Sequence, residues 1–232
     1  MRFSHSTELW QEFPDLVPGV LAAGDISTDV AVEPRVAKYV ATAESRLEAH
    51  SEAELPEIQA WRRAFSRMGL KPTQYRCASE ALLRRFRRER SLPQIHPLID
   101  LCNAVSMAFA VPVAVFDLSA IAGDLEVRHA DGSELYESFS GETENPEPGE
   151  VIFADGAGNA HARGWTNRQS SCSAVRDGTS RVLIVAEALH ASARADMERL
   201  VTALADELES VWSAPPRTSV LTSSSPRFEN EE

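Results

Sequence analysis

The chain has 232 residues, of which 43% are hydrophobic and 25% charged, with a formal net charge of −12. That balance excludes a mostly disordered polymer, and the length suffices to bury a core without disulfides or a structural metal. The longest apolar stretch near the middle, Ala108 to Phe116 with Pro112 inside it, is too short to cross a bilayer, and the acidic balance weighs against a protein that coats nucleic acid through its overall field while leaving room for a local basic patch. The opening MRFSHSTELWQEFPDL has no long apolar core, so no secretory signal is expected. Three cysteines (Cys77, Cys102, Cys172) without a C-x-x-C pair predict reduced thiols and a cytoplasmic location.

The elements follow from the patterning. Leu16 to Ala23 reads as a buried strand bounded by Pro and Gly-Asp. Pro34 to His50 predicts a helix with proline in its first turn, and Leu55 to Gly69 predicts a second. In the second, Ile58, Trp61, Phe65 and Met68 form one apolar stripe and Gly69 suits the C-terminal cap. SEALLRRFRRER predicts a third helix with Ser79 as N-cap. Leu98 to Ala110 is a fourth and Val111 to Leu118 a β-branched strand. Short strands are expected at Leu125–His129, Glu134–Phe139, Val151–Ala154 and Ala160–Gly164, then a central strand at Arg181–Ala186 and a closing helix at Ala191–Trp212. Helices, then short strands, then a helix indicate α+β, a mixed sheet flanked by helices. Residues 1–212 are expected to form a single domain, and the Ser/Pro-rich residues 213–232 a disordered tail. Leu98, Leu101, Val105, Val115, Phe116 and Val182 to Val185 are the expected core.

Two segments invite a functional reading. Arg84, Arg85, Arg87, Arg88 and Arg90 crowd one helix, which fits recognition of phosphates, although a solvated face paired with carboxylates such as Glu80 and Glu89 is the more common outcome. Arg163 to Gln169, RGWTNRQ, concentrates two guanidiniums, an indole and two amides after a strand, and predicts a platform for a polar ligand with Trp165 as its aromatic member. Nucleophile-elbow, P-loop, dinucleotide and zinc-protease motifs are absent. The six histidines are scattered, so no metal site and no cofactor is expected. Cys172, in SSCS, has nothing local to lower its pKa and reads as a buried structural thiol.

LPQIHPLIDLCNAVSMAFAVPVAVFD, from Leu92 to Asp117, resembles a segment of the phenylalanyl-tRNA synthetase beta subunit. Ile99-Asp100, Asn103, Pro112 and Phe116-Asp117 match that family's V-D, the Asn of T-N, its Pro and its F-D. Ser173-Ala174-Val175, Asp177 and Thr179-Ser180-Arg181-Val182-Leu183 are similar to its S-A-V-x-D-x-T-x-R-I-L strand. The resemblance covers about residues 55 to 210 and points to the B-three/B-four module, with no counterpart of the ATP-binding or aminoacylation modules. It implies an α+β fold around a pocket that, in the synthetase, hydrolyses tyrosine wrongly esterified to phenylalanine tRNA. Two departures bear on that pocket: the family's H-A-F-D histidine falls at Ala114, and its M-G-G-E glutamate aligns near Ser171.

The resemblance implies a free-standing aminoacyl-tRNA editing-like domain, an ester hydrolase for mischarged aminoacyl-tRNA in translation. Asn103, Asp117, Arg163, Trp165, Asn167, Arg168 and Gln169 are expected to bind the aminoacyl group, and Arg84, Arg85 and Arg88 the tRNA phosphates. The alternatives are a non-catalytic binding module for an amino acid or RNA and a small-molecule ester or amide hydrolase.

Overall fold

The computed structural model describes residues 1–213 and 215–230. The element order is β1 (Arg2–His5), α1 (Thr7–Glu12), β2 (Val17–Ala23), α2 (Glu33–Ala49), α3 (Pro56–Arg67), α4 (Ala78–Glu89), α5 (Pro97–Phe109) and β3 (Val113–Asp117). It continues with β4 (Leu125–His129), β5 (Tyr136–Glu137), β6 (Thr143–Glu144), β7 (Val151–Asp155), β8 (Ala160–Arg163), β9 (Arg168–Gln169), β10 (Val182–Ala188), α6 (Ala193–Trp212), β11 (Arg217–Val220) and β12 (Arg227–Glu229).

Two larger sheets organise the chain. One runs β12-β1-β4-β7-β8-β9, with β1 and β4 parallel and the other pairs antiparallel. The other is antiparallel, β11-β2-β10-β3, and β5 and β6 form a separate ribbon. The fold is α+β, as expected.

Strand period places the layers. On β10, Val182, Ile184 and Ala186 face α5 and α6, while Leu183 and Val185 face the six-stranded sheet. The helix-side core joins these to Leu98, Leu101 and Val105 of α5 and Met197, Leu200 and Leu204 of α6. The inter-sheet core joins Phe116 to Phe3, Val127 and Phe153. Every residue of the expected core is buried. Gly19 of β2 permits the close approach of α6, since a Cβ there would lie 2.4 Å from the Met197 sulfur.

Helix α3 ends as its composition requires. Gly69 takes φ +76°, its N–H donates to Ser66, and Leu70 donates to the Phe65 carbonyl, the paired bonds of a Schellman motif. The cap of α4 differs from expectation. Cys77 is the N-cap residue, and Ser79 sits inside the first turn with its hydroxyl donating to the Ala110 carbonyl at 3.1 Å.

Both ends of the chain depart from the sequence reading. β1, which strand patterning did not reveal, lies between β12 and β4. The segment expected to be a disordered tail supplies an edge strand to each large sheet: β11 pairs with β2, and β12 pairs with β1. Leu221 and Phe228 are buried there, so two apolar side chains spaced seven apart anchor a Ser-rich segment that composition alone marks as mobile. Ala214, Glu231 and Glu232, the remainder of that expected tail, lie outside the described residues.

Candidate functional site

The turn between β8 and β9 carries the RGWTNRQ residues. Gly164 and Trp165 both adopt left-handed backbone, at φ +57° each. For tryptophan that conformation is strained, costing of order 1–3 kcal/mol. Burial of the indole offsets it. Trp165 is wholly buried, edge-on to Trp61 at 5.0 Å and to Phe13 at 4.8 Å, and its Nε1–H donates to Glu187 Oε1 at 2.9 Å. The expected exposed stacking platform is therefore a core anchor, because the turn folds inward over the helix α3 face. Glu187, itself buried, also meets His5 Nε2 at 2.6 Å.

Around this anchor lies a cavity of about 60 Å³. Pro112, Val113, Ala114, Phe153, Ala162 and Val185 make its apolar wall, and Trp165, Asn167, Arg168, Gln169 and Glu187 its polar side. Four of the sequence-selected residues thus meet at Ala114. The Asn167 amide donates to the Arg76 carbonyl at 2.8 Å and the Gln169 amide to the Val115 carbonyl at 2.6 Å, which fixes both side chains. Arg168 lies over the Tyr136 ring and pairs with Glu144 at 3.2 Å.

The other selected residues lie elsewhere. Arg163 lines an adjoining cavity of about 330 Å³ that shares Asn167 and Arg168, and it is held by Glu144 and by Glu150 at 2.7 Å. Hydrogen bonds and the charge of Glu150 hold the Arg163 pKa above its ordinary value. Asp117 ends β3, accepting from Thr179 Oγ1 at 2.6 Å and from Ser119; burial opposes its charge, but those bonds outweigh it and keep its pKa low. Asn103 lines a different groove, with α2 and residues 90–97. The expected convergence of all seven on one wall is thus corrected: Asn103 is carried away because α5 presents that position to α2.

The basic helix is bound up in ion pairs. Arg84 meets Glu52 at 3.1 Å, Arg87 meets the same carboxylate at 2.8 Å, and Arg85 and Arg88 bracket Glu89. Arg84, Arg85 and Arg88 nevertheless keep between 43% and 75% of their side-chain surface exposed, so a phosphate would compete with these carboxylates.

The histidines do not stay isolated in three dimensions. Glu57 of α3, His190 just after β10 and Asp196 of α6 bring three ligand-type atoms within 4.8 Å of one another. The His190–Asp196 bond of 2.7 Å accounts for one of these contacts without an ion, and Glu57 is paired outside the cluster with Arg46 at 2.7 Å. Cys172, expected as a buried structural thiol, is partly exposed, with its sulfur 3.4 Å from His161 Nδ1. Its partner stands eleven positions earlier on β8, outside the reach of any local spacing rule.

The B3/4 domain model matches residues 60–206, well over half of the chain. The chain belongs to the B3/4 domain family, and is a homologue of the B3/B4-type module of the phenylalanyl-tRNA synthetase beta subunit, a tRNA-synthetase-related domain. Among solved structures, it is similar to an N-terminal fragment of the phenylalanyl-tRNA synthetase beta subunit from Pyrococcus horikoshii, at 12% identity and a TM-score of 0.48. That likeness covers 93% of this chain and 50% of the other, so the chain spans about half the length of that fragment. No curated protein matches it in sequence. No helix among the described residues is long and apolar enough to cross a membrane.

Proposed function

We propose that the chain is an editing-like domain that binds the aminoacyl group of an aminoacyl-tRNA, or a chemically similar acyl ligand, in the cavity at Ala114, and hydrolyses the ester. The observation that carries this reading is the meeting of Asn167, Arg168 and Gln169 with Ala114 around one apolar-walled cavity in a B3/4-type domain. A volume of about 60 Å³ admits only a small group against the apolar wall, and Ala114 leaves that wall without the histidine that the family places at this position. Arg168, at the mouth, is the cation available to a carbonyl or phosphate oxygen.

A second reading is favoured by the ion-paired state of Arg84, Arg85 and Arg88: a binding module for a free amino acid, without RNA. One experiment separates the two. Purified protein is incubated with a panel of mischarged tRNAs, and ester loss is compared with the spontaneous rate for wild type, Arg168→Ala and Ala114→Val. The editing reading expects loss of a small subset of esters, slowed in both variants. Binding of a free amino acid by calorimetry with no deacylation supports the second reading. Neither deacylation nor binding at low salt overturns both.

A further inference from the structure

β7 and β8 form a hairpin whose register breaks at one point. Phe153 is opposite Ala162, yet Ala154 is opposite Ala160, so His161 is the extra residue of a β-bulge. Bulges re-aim side chains and recur beside active sites. Here the imidazole, wholly buried, is turned between two partners. Its Nε2 lies 3.1 Å from Asp155 Oδ2, and its Nδ1 lies 3.4 Å from Cys172 Sγ and 2.8 Å from Ser173 Oγ. Asp155 is itself immobilised, accepting from the backbone N–H groups of Ala122, Ala157 and Asn159 and from the Asn159 amide.

We infer that Cys172 is a nucleophile, with His161 as its base and Asp155 as the residue that orients the imidazole, and that the group it attacks is the carbonyl of an acyl ester. The arrangement has the parts of an activated thiol: a nucleophile within reach of a base, and a third group that orients the base. Ser173 shares Nδ1 but is fully buried, whereas Cys172 is a partly exposed residue, so of the two it is the one placed to meet a substrate. Burial disfavours the Cys172 thiolate, yet the hydrogen bonds from His161 and Ser170 outweigh it and hold the thiol below its ordinary value. The other two cysteines are opposite in character: burial pushes Cys77 up to about 11 and Cys102 up to about 12.

The step balances. The thiol proton passes to His161, and the sulfur adds to the ester carbonyl carbon. Collapse breaks the carbon–oxygen bond, and the departing alkoxide takes the proton from the imidazolium and leaves as the alcohol. Cys172 then carries the acyl group as a thioester. Water, giving a proton to neutral His161, attacks the thioester; the carbon–sulfur bond breaks, the carboxylic acid leaves and the thiol is restored. This inference rests on the ester-handling reading above and adds to it a covalent intermediate on Cys172, which lies outside the lining of the Ala114 cavity, three positions after Gln169 on its wall.

The test uses the full chain. First, iodoacetamide labelling is followed by intact mass across pH. One adduct, on Cys172, is expected, with a rate that reaches its plateau below the ~8.5 of a free cysteine. The titratable group against the sulfur is His161, backed by Asp155 on its other nitrogen; Arg176, which donates to the Ser171 carbonyl, and Glu137, which accepts from Ser171 Oγ, are the charged groups on the neighbouring residue. His161→Gln should slow labelling about tenfold or more and return the profile to that of a free thiol. Second, p-nitrophenyl acetate should release a burst of nitrophenolate stoichiometric with protein, leaving an acetyl group on Cys172 after acid quench. Cys172→Ser and Cys172→Ala should abolish the burst. An ordinary wild-type labelling profile, which needs no variant and so no assumption about folding, overturns the inference. So does fast labelling without an acetyl adduct. Deacylation of mischarged tRNA at the wild-type rate by Cys172→Ala would sink this inference and leave the editing reading standing. A burst on the nitrophenyl ester with no action on any tRNA would do the reverse.

Discussion

Trp165 Nε1 donates to Glu187 Oε1 at 2.9 Å between two buried side chains, joining the β8–β9 turn to the central strand β10. The bond ties a strained backbone position to a buried carboxylate that also meets His5. Trp165→Phe keeps much of the apolar contact but removes one donor from Glu187. Stability should fall by about 1–3 kcal/mol, read as a lower urea midpoint with an unchanged slope.

Gly19→Ala places a methyl 2.4 Å from the Met197 sulfur and 2.6 Å from a Val201 methyl. The methionine can swing, but strand β2 is paired on both sides and cannot retreat. A loss of roughly 1–3 kcal/mol is expected from overpacking. Gly19→Ala combined with Met197→Ala should recover part of it, and absence of recovery in the thermal midpoint would assign the strain elsewhere.

Asp155 ties its hydrogen-bonded turn to pH. Burial raises its pKa, but the Asn159 amide, the backbone donors and His161 outweigh this and bring it down to about 2. A folded value below the unfolded ~3.9 means that the carboxylate stabilises the fold above that pH and that this contribution is lost as pH falls through about 2. At neutral pH, wild type should exceed Asp155→Asn in unfolding free energy, and the gap should close between about pH 4 and pH 2. A gap independent of pH would show that shape, not charge, holds the turn.

Truncation after Trp212 removes β11 and β12 and uncovers the edges of both large sheets. Loss of buried Leu221 and Phe228, at about 1.5–3 kcal/mol each, together with two exposed edges, should lower the thermal midpoint and promote association in sedimentation. An unchanged midpoint would mean that these strands only rest on the fold.

If tRNA binds along α4, its phosphates must displace Glu89 from Arg85 and Arg88 and Glu52 from Arg84. Glu89→Gln should then tighten tRNA binding, and affinity should fall steeply with salt. Weaker or unchanged binding in Glu89→Gln would place the RNA away from this helix.

Much was legible in the sequence because it is written in local periodicity. The i, i+3, i+4 stripes of α3 and α4, the β-branched run of β3 and the apolar run of β10 each announce an element within ten or so residues. The resemblance at Leu92 to Asp117 likewise rests on contiguous residues, and it led to the B3/4 family. What the sequence could not determine depends on partners far along the chain. The Ser/Pro-rich end becomes two strands only because β1 and β2 offer unpaired edges 195 to 227 residues earlier, supplying hydrogen bonds and burial that composition does not record. Trp165 looks exposed among polar neighbours, yet Trp61 and Phe13 cover it. Asp155, His161 and Cys172 carry no motif spacing; a bulge in one hairpin and the return of the chain after β9 bring them together. Local propensity acts over a few residues, whereas the meeting of Asp155, His161 and Cys172 is set by strand register, and register is a property of the assembled sheet.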